Sequence, residues 1–154
     1  MKGDPALIQT LNNLLAQELA AINQYMVHAE MCDQWGYEKL HEVIEKQAID
    51  EMHHAEWLID RILFLEGRPN VSRLDDIHIG KSVEEIMTSD EGAEERAVKM
   101  YNDGIQQAVQ VNDHGTRDLL TKILRDEERH LDFDEQQKDQ IQQMGLQNYL
   151  SKQM

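Results

Sequence analysis

Apolar residues return about every 3.6 positions along four long stretches of this chain, a period that commits them to amphipathic helices. The first stripe runs Leu7, Leu11, Leu14, Glu18, Ile22, Tyr25, Ala29, and the second Leu40, Ile44, Gln47, Glu51, His54, Leu58, Ile62, Leu65. The third runs Val83, Met87, Asp90, Glu94, Ala97, Tyr101, Ile105, Ala108, and the fourth Leu120, Ile123, Glu127, His130, Asp134, Gln137, Ile141, Met144. A helix striped on one face must bury that face against others, so four of them predict an all-α four-helix bundle.

Helix breakers set the boundaries, and with 2 Pro and 8 Gly in 154 residues there are few of them. Asp4-Pro5 reads as an N-cap followed by a first-turn proline, opening a helix that lasts to Trp35-Gly36. The second helix is expected from about Lys39 to Glu66, closed by Gly67 ahead of Arg68-Pro69. Residues 67–82 are irregular. Ser82 with Glu85 is a capping box that starts the third helix, which fades near Asn112–Gly115. The fourth is expected from about Thr116 to Met144, stopped by Gly145, with a short fifth helix in Leu146–Met154. The 16-residue middle link (67–82) reaches about 50 Å at roughly 3.3 Å per residue. A 28-residue helix is about 42 Å long, so the link is one long crossover and the other two connections are tight hairpins. Length argues for a single domain over residues 1–154.

Composition removes several functions. A net charge of −15 argues against nucleic acid, whose phosphates require Lys and Arg, and suits cations instead. No apolar run reaches the roughly 18 residues of a membrane span. The first residues lead into no apolar signal region, and Cys32 has no partner for an intrachain disulfide, so a cytoplasmic location is expected.

Each stripe is broken midway by a carboxylate: Glu18, Glu51, Glu94 and Glu127. Two of these begin Glu-x-x-His, placing His54 and His130 on the same helix face as Glu51 and Glu127. Glu18 to Glu51 and Glu94 to Glu127 both span 33 residues, so the chain carries two hairpins with matching donors. A third match, Glu38-x-x-His41, has Pro5 at that offset and reads as surface. Glutamate falling 33 residues before both remaining motifs has a chance probability of about one in a hundred. Buried and unpaired, four carboxylates would each cost several kcal/mol, so cations are expected among them. Four carboxylates and two imidazoles, without sulfur, favour iron or manganese over structural zinc, as in the di-iron carboxylate bundles.

With MKGD at the start, LAAINQY (19–25), DEMHHAE (50–56), RILFLEG (61–67), LRDEERH (124–130) and MGLQNYL (144–150), the chain resembles bacterioferritins along essentially its whole length. The resemblance implies a ferritin-like bundle assembled into a 24-subunit shell that oxidises Fe(II) with O2 or H2O2 and stores it as ferric mineral. Glu18, Glu51, His54, Glu94, Glu127 and His130 match all six ferroxidase ligand positions, with Glu51 and Glu127 as the bridging pair. Tyr25 stands where the family has a tyrosine beside the centre, for redox chemistry or a hydrogen bond to a ligand. The resemblance further implies haem b shared across two-fold interfaces through Met52, and a small ferredoxin that aids iron release. Met52 points about 100° away from the metal seam, next to an outer row with Leu19, Ile22, Met26 and Ile49. Met26 and Glu45 replace residues that are often aromatic in the family. Lys46 stands where some members have a histidine that, with the residue at position 50, forms an inner-surface iron site. The alternatives are a di-iron peroxidase or manganese catalase of the same fold, or a non-enzymatic haem- or metal-binding protein. No Cys-x-x-Cys pair supports the peroxidase.

Overall fold

A computed structural model describes residues 1–154, whose helices are α1 (Pro5–Gln34), α2 (Glu38–Phe64), α3 (Val83–Gln110), α4 (His114–Met144) and α5 (Leu146–Ser151). α1 packs antiparallel on α2 and α3 on α4, and the two hairpins face each other through α1 with α3 and α2 with α4. No helix is long and apolar enough to cross a membrane.

The caps follow the local chemistry, with three refinements. Asp4 accepts from the Leu7 amide at 2.9 Å with Pro5 at the first helical position. α2 ends earlier than expected: the left-handed residue is Glu66, at φ 62°, not Gly67. Gly67 is required for a different reason, since a Cβ there would lie 2.7 Å from Ile8 Cγ2. Ser82 accepts from the Glu85 amide at 3.2 Å, but Glu85 takes its return bond from the Lys81 amide, one residue before the cap. Asp113 caps α4 through the Thr116 amide at 3.0 Å, so that helix starts at His114. Gly145, at φ 82°, turns the chain into α5.

The crossover runs beside α1 in the same direction. The Asn70 amide donates to Asn12 Oδ1, Asp75 to the Ala16 carbonyl, His78 to Gln24 Oε1 and Gly80 to His28 Nε2. It therefore returns the chain to the far end of the bundle, and α3 descends parallel to α2. The topology is up-down-down-up, with one long crossover. Two apolar clusters of 11 residues each fill the bundle. One gathers Leu11, Leu14, Leu58 and Tyr101, the other Tyr25, Ile44 and Met87. The glutamate level lies between them.

Candidate metal centre

Glu18, Glu51, His54, Glu94 and Glu127 are fully buried, and His130 nearly so. One residue or one Glu-x-x-His pair comes from each long helix, so the bundle brings together all six donors that the sequence singles out. Their ligating atoms form two overlapping groups: Glu18, Glu51, His54, Glu127 and Glu51, Glu94, Glu127, His130. Glu51 and Glu127 belong to both. His54 Nδ1 lies 3.4, 3.3 and 3.2 Å from oxygens of Glu18, Glu51 and Glu127. His130 Nδ1 lies 3.2, 3.4 and 3.7 Å from Glu51, Glu94 and Glu127. Most of these separations exceed a good N–H···O hydrogen bond. They fit the edge of a coordination polyhedron, where bonds of about 2.1 Å put two ligands about 3.0 Å apart in an octahedron and about 3.4 Å apart in a tetrahedron.

Among the buried side-chain atoms without a hydrogen-bond partner, eight belong to these six residues, including both oxygens of Glu51 and of Glu127 and Nδ1 of both histidines. Orphaned buried polar atoms are costly, and so many converging on two points fit two cations. Burial and the neighbouring carboxylates Glu18 and Glu94 push Glu51 well above the usual carboxylate range, and Glu127 is raised likewise. Burial would lower the His54 pKa, but the surrounding carboxylates of Glu127, Glu18 and Glu51 outweigh it and raise it. For His130 the same opposition, with Asp50 and Glu94 as the main partners, ends at about 10. Carboxylates and imidazoles crowded in one buried site hold protons more tightly than they would in water, and a metal ion bound there would displace protons.

The far side of each ring is held by a carboxylate from the opposite hairpin. His54 Nε2–H donates to Asp126 at 2.7 Å, and His130 Nε2–H to Asp50 at 3.0 Å. Both rings therefore turn Nδ1 toward the centre, the orientation that such a bond fixes in metal sites. Glu18 and Glu94, each of which belongs to one donor group only, are held by tyrosines. Tyr25 donates to Glu94, and Tyr101 donates to Glu18 at 2.6 Å. Asp126 and Tyr101 were not singled out by sequence reasoning. Both follow from a 76-residue offset that maps Glu18, Tyr25, Asp50, Glu51 and His54 onto Glu94, Tyr101, Asp126, Glu127 and His130. Lys46 Nζ sits 3.3 Å from Asp50 Oδ1, so the ammonium holds a carboxylate that also carries His130. Burial alone would raise Asp50; bonds from His130 and Lys46 bring it down to about 2.

Met52 is 45% exposed, on the outside of the α1–α2 hairpin and away from the buried centre. Met26 and Ile49 are exposed beside it, as the outer row predicts. These side chains share a groove of about 340 Å³ with Ile22, Ala29, Ala48, Glu30 and Glu45. His53 is exposed and lies against Trp57, off the metal seam. The third Glu-x-x-His match departs from expectation: Glu38 is exposed, but His41 is half-buried beside Glu30 and Glu45.

A crossover-linked bundle with a carboxylate-rich dinuclear site at mid-height defines the ferritin-like class of metal-binding proteins. The family profile described as Ferritin, ferritin-like domain, matches residues 8–144. A "Bacterial ferritin" of Synechocystis sp. is 44% identical over 155 residues, covering 100% of this chain and 99% of that protein. A "Bacterioferritin" of Streptomyces coelicolor is 42% identical, covering 98% of this chain and 90% of its own, and one of Brucella melitensis is 38% identical, covering 97% and 92%. The chain belongs to the bacterioferritins, a family of iron-storage ferritins, and its buried Glu/His centre is of the ferroxidase type.

Proposed function

We propose that Glu18, Glu51, His54, Glu94, Glu127 and His130 bind two Fe(II) ions as substrate, with Glu51 and Glu127 bridging and the other four terminal. The sharing of those two glutamates by both donor groups carries this assignment. Each Fe(II) gives up one electron. O2 takes the pair with two protons to become H2O2, or H2O2 takes it with two protons to become two waters. The carboxylates neutralise the added positive charge, and movable carboxylate arms tolerate the smaller Fe(III). Tyr25 and Tyr101 orient Glu94 and Glu18 by hydrogen bonds, and Tyr25 stands close enough to the centre to serve also as a redox-active phenol.

The whole chain, residues 1–154, acts in this reading as one ferritin-like unit of a 24-subunit shell in the cytoplasm, holding ferric mineral. The apolar α1–α2 groove suits haem b: doubled across a two-fold axis it offers one Met52 thioether from each side. Haem supplies an electron path when bound, and a small ferredoxin would deliver electrons for iron release.

The test is stopped-flow oxidation of Fe(II) by wild type and by Glu127→Ala, with size-exclusion of both. The rapid phase should vanish in the variant while a very large assembly persists. Unchanged initial rates would overturn the ligand assignment, and a small wild-type species would favour the alternative peroxidase or catalase reading. Wild type that binds iron without consuming oxidant would favour the non-enzymatic one.

A further inference from the structure

Outside the buried centre, Glu30, His41 and Glu45 bring their ligating atoms within 4.8 Å of one another. Glu30 stands near the end of α1, and His41 and Glu45 occupy successive early turns of α2, so the cluster lies across the two helices near the turn that joins them.

The histidine's tautomer is settled by the backbone. His41 Nδ1–H donates to the Ala29 carbonyl at 2.8 Å, and a carbonyl has no proton to give in return. Nε2 is therefore the nitrogen left to act as a ligand. It lies 3.5 Å from Glu45 Oε2, which is too long for a good hydrogen bond. Two ligands of one tetrahedral ion, each bonded at about 2.1 Å, stand about 3.4 Å apart. A ring N–H bonded to a backbone carbonyl is also the usual support of a metal-ligating histidine. With Nδ1–H engaged, the Nε2 lone pair is left on the Glu45 side of the ring, with a Glu30 oxygen also in the cluster, where it can take up a proton or a metal ion.

We propose that Glu30, His41 and Glu45 bind one divalent transition-metal cation, through His41 Nε2 and one oxygen of each glutamate, with water in the remaining positions. One imidazole and two carboxylates suit Zn(II), Fe(II) or Mn(II), whereas Mg(II) and Ca(II) take oxygen alone. Glu30 and Glu45 also line the Met52 groove. A cation here cancels two negative charges beside that apolar surface, a consequence that rests on the haem reading, whereas the metal site does not.

Zn(II) alone, redox-inert, is the probe, titrated by calorimetry into chelator-treated wild type, His41→Gln and Glu45→Gln. Wild type should take up three ions per chain, two tight and one weaker. Both variants should lose the weaker class, with at least a tenfold fall in its affinity, and keep the tight pair, which also reports that they fold. Zinc-edge anomalous diffraction from wild-type crystals should show a peak between the three side chains. Identical isotherms for all three proteins, or no peak at the cluster, would overturn the site and leave His41 as a protonated partner of Glu45. Loss of the tight pair from wild type with the weaker class retained would instead count against the dinuclear centre.

Discussion

His54 and Asp126 join the two hairpins: the ring of one donates its Nε2–H to the carboxylate of the other at 2.7 Å, and the ring's Nδ1 is thereby turned into the metal centre. The reciprocal pair, His130 with Asp50, is the same contact repeated 76 residues away. Burial would raise Asp126, but bonds from His54 and Arg129 outweigh it and keep it below the usual carboxylate range. Asp126→Ala should therefore weaken metal binding by about 10–100-fold, chiefly in the His54 half of the centre. Zn(II) calorimetry checks this. Wild-type affinity in the variant would mean that packing alone orients the ring.

Tyr25 and Tyr101 have equivalent partners, each bonded to a buried glutamate of the other hairpin, Glu94 and Glu18. Tyr101→Phe leaves a Glu18 oxygen without that donor and should cost metal-free stability about 1–3 kcal/mol, as Tyr25→Phe should for Glu94. Thermal unfolding measures both. If Tyr25 also donates electrons, its variant alone should slow iron oxidation beyond the shared effect; equal kinetics in the two variants would remove that role.

Adjacent histidines separate by helix phase. His54 is buried at the centre, whereas His53 is exposed with its ring against Trp57. His54→Ala should impair Fe(II) binding and His53→Ala should leave it at the wild-type level. Equal losses would contradict the placement of the α2 face.

Met52→Leu keeps volume and apolarity, so folding should change little. On the proposed haem reading, the wild type should show haem absorption bands that the variant lacks, while early Fe(II) oxidation is retained, because Glu51 and His54 face another way. Haem bound in normal amount with unaltered axial spectroscopy would return Met52 to a packing role.

Cys32 is buried, and burial together with the charge of Asp90 pushes its thiol up to about 12. Buried and held as the thiol, Cys32 should not be labelled by a disulfide reagent in the folded protein at pH 8. Denaturant should release it at once. Rapid labelling of the native protein at pH 8 would show that this end of the bundle opens.

Helix existence, the four interrupting glutamates and the two Glu-x-x-His pairs could be read from sequence because they are local facts. Period, capping residues and same-face spacing act within a few turns of one helix. Asp4, Ser82 and Gly145 stop or start helices by bonds or dihedrals that involve neighbours a few residues away. Glu66 was missed as the left-handed residue because Gly67 next to it carries the stronger local signal, while the contact with Ile8 that requires that glycine is between helices. Which carboxylates are shared, and which groups hold the rings, were decided by the docking of one hairpin on the other. Asp126 and Tyr101 gain their roles only when partners 72 and 83 residues away are brought within hydrogen-bond reach. The 76-residue offset was present in the chain, but an offset acquires meaning only once the crossover has run beside α1 and set α3 antiparallel to it. His41 shows the same limit. Its sequence motif pointed to Glu38, three residues back, whereas the fold sets it beside Glu45, one turn further along α2, and Glu30 of α1, a neighbour that only the packing of the two helices supplies.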